Sequence, residues 1–195
     1  MTARLAVLSG PGGVGKGTVI ARLREVLPDW QVSVSATTRA PRPGERNGVE
    51  YWFVTDERFD QMIADGAFLE WAAFGGHRYG TPWNSVRQPL DEGRMVLLEL
   101  EIQGAFAVKK EFPEAALIFL HPPDLEALRE RLRGRGTDDQ ARVRERLALA
   151  EWELAQAPAF EHHVTNDDVH AAAERIAAIL GDVHGPGRPN TAPVG

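Results

Sequence analysis

The fold of this chain is decided by the stretch Leu5-Ala6-Val7-Leu8-Ser9-Gly10-Pro11-Gly12-Gly13-Val14-Gly15-Lys16-Gly17-Thr18. It predicts a short buried strand, a glycine-rich loop and the start of a helix. Glycines in the loop permit positive φ angles and leave backbone N–H groups pointing into a concavity. Lys16 adds a cation that can reach the β- and γ-phosphates of a nucleotide. The stretch therefore predicts a nucleoside triphosphate site.

The sequence around the loop supports this interpretation. The spacing G-x-x-x-x-G-K is complete, and a helix predicted from Thr18 to Leu27 points its positive dipole end at the bound anion before ending at Pro28. A glycine-rich turn beside a solvated lysine is the weaker alternative. The residues predicted to bind ATP here are Gly10, Pro11, Gly12, Gly13, Val14, Gly15, Lys16, Gly17 and Thr18.

One position departs from the usual pattern of such loops. Gly17 stands where a Ser or Thr commonly ligates magnesium, and Thr18 follows one residue later. We expect Mg²⁺ to arrive with ATP, held chiefly by phosphate oxygens and water. The sequence leaves open whether Thr18 assists, so no protein ligand of the metal is assigned.

Composition narrows the remaining possibilities. A chain of 195 residues with 43% apolar residues can bury one full core, and no segment approaches the ~20 apolar residues that span a bilayer. We therefore expect a soluble cytoplasmic protein with no membrane partner. The net charge of −6 argues against broad nucleic-acid binding. The absence of cysteine excludes thiolate catalysis, and the six histidines show no metal-ligand spacing.

Strands alternate with helices along the chain, which predicts an α/β fold with a parallel sheet core flanked by helices. Predicted strands are residues 31–35, 51–54, 95–100, 117–120 and a short one near Val164, with a hairpin formed by 68–74 and 77–81. Predicted helices after the first are residues 55–64, 125–132, 142–157 and 171–180. The expected domain covers residues 1–184, and the tail 185–195, rich in Pro and Gly, is expected to be disordered.

A second group of residues indicates a separate phosphate site. Arg39 and Arg42 lie three residues apart in a Pro/Gly-rich segment, and Tyr51 and Tyr79 follow in the same region. Two guanidinium groups with phenolic hydroxyls suit a doubly charged phosphate monoester. Taken alone, the segment would be better explained as a solvated basic loop.

The wider pattern resembles the guanylate kinase family from about Leu5 to Leu180. The motifs that carry the resemblance, beside the glycine loop, are residues 35–45, 48–53, 68–72, 79–81, 99–105, 133–137 and 166–168. The resemblance implies a P-loop kinase with a mixed, β-rich insert at about 35–90 that binds the nucleoside monophosphate, and a helical lid at about 124–150. It implies ATP-dependent phosphorylation of GMP, and of dGMP with it, to the diphosphate.

The resemblance also implies roles for single residues. The GMP phosphate would be held by Arg39, Arg42, Tyr51 and Tyr79, and the guanine by Ser35, Thr81, Glu70 and Glu101. Position 101 is an aspartate in some relatives, and the glutamate here is longer. Lys16, Arg39, Arg135 and Arg146 would be catalytic, with Arg135 and Arg146 closing as a lid, while Asn166 would lie near the adenine of ATP.

Two other functions stay open at this point. The ending Gly15-Lys16-Gly17-Thr18 also occurs in adenylate kinases, so a kinase for another small acceptor is possible, although Glu70, Ser35 and Thr81 favour guanine. A binding module that has lost catalysis is the other alternative, and the intact Gly10, Gly15 and Lys16 argue against it. The sequence leaves the oligomeric state open.

Overall fold

A computed structural model of the chain describes residues 4–133 and 140–184. Two predictions, the catalytic role of Arg135 and the disorder of the tail 185–195, lie outside these residues. Within the described ranges, the search for a helix long and apolar enough to span a bilayer found none.

Strands and helices alternate along most of the chain. The strands are β1 (Leu5–Ser9), β2 (Trp30–Val32), β3 (Ala36–Thr37), β4 (Trp52–Phe53), β5 (Phe68–Phe74), β6 (His77–Pro82), β7 (Met95–Glu99), β8 (Ala116–His121) and β9 (His162–Thr165). The helices are α1 (Lys16–Val26), α2 (Asp56–Ala64), α3 (Asn84–Asp91), α4 (Ile102–Glu111), α5 (Leu125–Arg133), α6 (Gln140–Ala155) and α7 (Val169–His184). A 3₁₀ turn (Ala157–Ala159) follows α6.

The main sheet is parallel and has the strand order β2-β7-β1-β8-β9. All five residues of its central strand β1 are buried, as expected for a strand covered on both faces. Ala6 and Leu8 pack in the core layer that α1 and α7 cover, whereas Leu5 and Val7 pack in the layer that contains residues of α3 and α4. The predicted α/β fold with a helix-flanked parallel sheet is confirmed.

A second, four-stranded sheet has the order β4-β3-β6-β5 and mixes parallel with antiparallel pairs. The predicted hairpin is present as β5 and β6, and both glycines of its turn, Gly75 and Gly76, have positive φ. Helix α2 covers this sheet through Phe59, whose ring stacks on Phe68 at 4.6 Å between centroids. The sheet therefore has a small core of its own.

The structure corrects several predicted elements. The predicted strand 31–35 is shorter than expected: β2 covers Trp30–Val32 in the main sheet, and residues 33–35 connect it to β3 in the second sheet. Helices α3 and α4 were not predicted, since α3 contains Pro89 and α4 contains Gly104, both unfavourable inside helices. Packing against the main sheet stabilises both helices despite these residues.

We expect Gly10→Ala to lower the free energy of unfolding by about 2 kcal/mol or more. Gly10 has φ +146°, and a Cβ there would lie 2.4 Å from the backbone oxygen of Leu120. Gly17→Ala is the matched control, because a Cβ at Gly17 meets nothing within 4 Å, and alanine should stabilise α1 by up to about 1 kcal/mol. Urea unfolding measures both, and equal stability of the two variants would contradict this account.

Candidate active site

Most of the predicted site residues line one cavity of about 520 Å³, bordered by the glycine loop on one side and the second sheet on the other. Those lining it are Pro11, Gly12, Gly13, Gly15, Lys16, Gly17, Thr18, Ser35, Arg39, Arg42, Tyr51, Glu70, Tyr79, Glu101 and Arg146. Gly10, Val14, Thr81 and Asn166 are not among the lining residues.

The glycine loop ends in a left-handed residue, Gly15 at φ 102°, from which α1 begins at Lys16. The first turn of α1 contains no acidic residue and no side-chain cap, so no carboxylate offsets the positive end of the helix dipole there. The Lys16 side chain is only 8% exposed, and its Nζ donates to the Gly10 carbonyl at 2.6 Å. The same Nζ lies 3.6 Å from Glu101 Oε1. The lysine is therefore held at the loop by backbone and carboxylate oxygens.

Two side chains support the loop through the carbonyl of Val14. Asn166 Nδ2 donates to it at 2.8 Å, and Arg131 Nη1 donates to it at 2.9 Å. Arg131 also donates to the Asn166 carbonyl at 3.1 Å. Asn166 thus packs behind the loop, and a Cβ on Gly15 would lie 2.6 Å from its Nδ2. No role for Arg131 was predicted from the sequence, because the arginine-rich pattern of its helix is typical of a solvated face.

Glu153 on α6 is a further residue at the loop that the sequence analysis missed. Its side chain is 3% exposed, and its Oε2 accepts a hydrogen bond from the Gly12 N–H at 3.0 Å. Burial, followed by the negative charge of Glu101, raises the pKa of Glu153 to about 7. Its sequence signal is its position seven residues after Arg146, which puts both on one face of the helix.

In the loop that follows β3, Glu45 binds the side chain of Arg39 and the backbone of Arg42, the two predicted phosphate-binding arginines. Arg39 makes two hydrogen bonds with this carboxylate, both at 2.9 Å, and the Arg42 N–H donates to it at 2.7 Å. Burial opposes the charged form, but these hydrogen bonds hold the pKa of Glu45 below its usual value. The Arg39 guanidinium also lies 5.5 Å from the centroid of the Tyr51 ring. Burial raises the pKa of Tyr51, so its hydroxyl stays protonated and able to donate.

Glu70 lies on β5 of the second sheet. Thr81, which is fully buried, donates its hydroxyl to Glu70 Oε1 at 2.7 Å, and the Ser35 hydroxyl lies 3.4 Å from that of Thr81. Burial raises the pKa of Glu70, although the bonds from Thr81 oppose that shift. Gly104 on α4 permits this approach, because a Cβ there would lie 2.9 Å from Glu70 Oε2. The cavity therefore presents a carboxylate beside the Ser35 hydroxyl.

The residues at the loop fit a divalent metal that is bound by nucleotide phosphates. The described residues contain no group of three or more His, Asp or Glu side chains able to hold a metal ion. Thr18 is exposed and lines the cavity beside Gly17, so a hydroxyl is available next to the phosphate-binding N–H groups. Hydroxyl and phosphate oxygens are ligands that Mg²⁺ prefers.

A protein-family model described as Guanylate kinase matches residues 2–183. The chain belongs to the guanylate kinase family. It is 51% identical over 176 residues to a guanylate kinase of Streptomyces coelicolor, covering 90% of this chain and 89% of that protein. It is also 46% identical over 179 residues to a guanylate kinase of Synechocystis, covering 92% and 94%. A crystal structure of guanylate kinase from Anaplasma phagocytophilum superposes with a TM-score of 0.79 at 33% identity, covering 94% of this chain and 87% of that one.

In this guanylate kinase family member, we expect Arg131→Ala to lower the free energy of unfolding by about 1.5–3 kcal/mol. The change removes the guanidinium hydrogen bonds to the carbonyl of Val14 in the glycine loop and to the backbone carbonyl of Asn166 after β9. Arg129→Ala on the same helix removes an exposed pair with Glu126 and should change stability by less than about 0.5 kcal/mol. Urea unfolding of both variants tests this, and similar losses would show that Arg131 does not support the loop.

Proposed function

We propose that this kinase transfers the γ-phosphoryl group of ATP to GMP, with ATP on the glycine loop and GMP on the second sheet. The observation that carries the proposal is the single cavity, in which Lys16 and the loop N–H groups face Arg39, Arg42 and Tyr51. Membership of the guanylate kinase family supports the reaction. The predicted location in the cytoplasm stays a prediction.

For the donor, we propose that the loop N–H groups and Lys16 bind the phosphates of ATP. Mg²⁺ would accompany ATP, and the Thr18 hydroxyl is the protein group that could assist in holding it. When bound, the metal ion would neutralise part of the phosphate charge. Asn166 supports the loop from behind, and its proposed contact with the adenine remains a prediction.

For the acceptor, we propose that Arg39, Arg42, Tyr51 and Tyr79 bind the phosphate of GMP. Support comes from the Arg39 guanidinium, which Glu45 fixes in place before any substrate binds, so that less side-chain entropy is lost on binding. The Tyr51 and Tyr79 rings pack edge to face, with 6.0 Å between their centroids, and both tyrosines line the cavity. Residues at about 35–90 would form the acceptor-binding insert.

For the base, we propose that Glu70 accepts hydrogen bonds from N1–H and the 2-amino group of guanine, and that Ser35 serves O6. Thr81 acts through Glu70, to which its hydroxyl is already bonded. Glu101, also predicted to contact guanine, has its carboxylate beside Lys16 and would reach the base only by turning away from it.

The reaction needs no general base, because the attacking phosphate oxygen of GMP is already anionic. That oxygen forms a bond to the γ-phosphorus as the bond to the β,γ-bridging oxygen breaks, and ADP leaves with those electrons. Lys16 and the arginines would align the two nucleotides and offset the charge that builds up between them. Arg146, and Arg135 outside the described residues, would act from the lid at about 124–150, which would also exclude water.

A coupled ADP-release assay with ATP and a panel of nucleoside monophosphates tests the function. We expect kcat/KM to fall in the order GMP, IMP, AMP, because IMP lacks the 2-amino group and AMP presents an acceptor at N1 to Glu70. A site built to bond a missing group can reject the analogue by up to ~10⁴-fold. Glu70→Gln should reduce the difference in kcat/KM between GMP and the other two nucleotides, while the glutamine carbonyl still accepts the hydrogen bond from the Thr81 hydroxyl. Equal efficiency with AMP and GMP would overturn the assignment of guanine.

We expect Arg42→Ala to raise KM for GMP at least tenfold, since a charge-assisted contact with phosphate is worth about 1.5–3 kcal/mol. The affinity for ATP measured without GMP should stay unchanged. Arg46→Ala is the matched control, because Arg46 is exposed in the same segment and does not line the cavity. Equal loss of both affinities in Arg42→Ala would place this arginine outside the acceptor site.

A further inference from the structure

Helix α6 and the glycine loop are joined at one buried point. Glu153 lies 141 residues after Gly12, yet its carboxylate accepts the Gly12 N–H at 3.0 Å with only 3% of the residue exposed. The N–H groups of such a loop are those that receive phosphate oxygens. The Glu153 carboxylate therefore already accepts one of the N–H groups of the predicted donor site.

We propose that Glu153 is a positioning residue for the donor phosphates. Its side chain holds α6 against the glycine loop and is the neutral carboxylic acid when ATP is bound to the protein. The proposal rests on the proposed function, in that the loop is taken as the ATP site. The proton would come from solvent, and the carbonyl oxygen of the neutral acid would still accept the Gly12 N–H.

Burial and the negative charge of Glu101 favour the neutral form of Glu153, whereas the Gly12 N–H and Lys16 favour the charged form. Lys16 lies at the start of α1 and Glu101 immediately precedes α4, while Arg146 on α6 and Glu99 at the end of β7 line the same cavity as Glu153. Lys16 is already 3.6 Å from Glu101. The phosphates of ATP would add several negative charges beside two carboxylates, and like charges at such short distances repel one another. Protonating Glu153, whose pKa is already about 7, removes one of these charges.

The same contact fixes the position of the helix along the cavity. Arg146 precedes Glu153 by seven residues, or about two turns, so both lie on one face of α6 and both line the cavity. Anchoring the carboxylate on Gly12 therefore sets how far Arg146 reaches toward the transferring phosphate. This links the loop that binds the donor to a residue of the proposed lid.

The first test is calorimetry of ATP binding without GMP at pH 6.5, 7.5 and 8.5, in buffers of different ionisation enthalpy. We expect the wild type to take up close to one proton above pH 7 and to lose up to about tenfold in affinity per pH unit, because only the protonated form binds. Glu153→Gln should lack this uptake and this loss of affinity, so that only the ionisation of the terminal phosphate of ATP remains in its profile. Glu151→Gln, an exposed neighbour on α6, is the control and should follow the wild type. Identical profiles for all three proteins would overturn the proposal.

The second test is a double-mutant cycle in the kinase assay. Glu153→Ala removes the acceptor, and we expect kcat to fall about tenfold or more, whereas Glu153→Gln restores most of that loss. In an Arg146→Ala background, Glu153→Ala should cost little further. Additive losses, or a lowered Tm with unchanged kcat, would contradict the positioning role. A wild type that binds ATP but does not phosphorylate GMP would refute the proposed function and leave the binding test standing.

Discussion

The structure depends on hydrogen bonds from other elements that keep the glycine loop in its conformation. Its positive-φ glycines turn backbone N–H groups toward the cavity, and the loop's remaining polar groups must then find partners elsewhere. The carbonyl of Val14 is bonded by Asn166 and Arg131, and that of Gly10 by Lys16. These partners come from different elements of the chain. The loop is therefore a product of the complete fold, so its geometry persists without a ligand.

In the proposed function, the second sheet meets a different demand, because it would hold one polyanion, GMP, beside another, ATP. Arg39 carries the charge for this, and Glu45 fixes its orientation with a two-point hydrogen bond. A lone arginine would be more mobile, and binding would cost more entropy. Because the ion pair offsets part of the positive charge, the segment is stable before a phosphate arrives. The cost is a weaker attraction between Arg39 and a phosphate. In the proposed acceptor site, Arg42 and the two tyrosines compensate for this loss.

The sequence predicted the structure correctly where the pattern that indicates an element lies within that element itself. The glycine loop, the β5–β6 hairpin and the parallel core follow from spacing and alternation within a few residues. It was insufficient where a side chain acts across the fold. Arg131 reaches Val14 over 117 positions, and Glu153 reaches Gly12 over 141, so neither contact leaves a pattern in its own segment. Helix α4 was missed for a related reason, since Gly104 serves Glu70 in another element.

Glu101 shows how one side chain connects the two halves of the site. Sequence resemblance places it on the guanine, but its carboxylate lies beside Lys16, and its charge raises the pKa of Glu153. The extra methylene of glutamate over aspartate gives it this reach. A carboxylate 3.6 Å from the Lys16 ammonium lies on the donor side of the proposed site rather than on the base. In the proposed function, recognition of guanine would then rest mainly on Glu70, while Glu101 would act on the charge that the donor phosphates encounter.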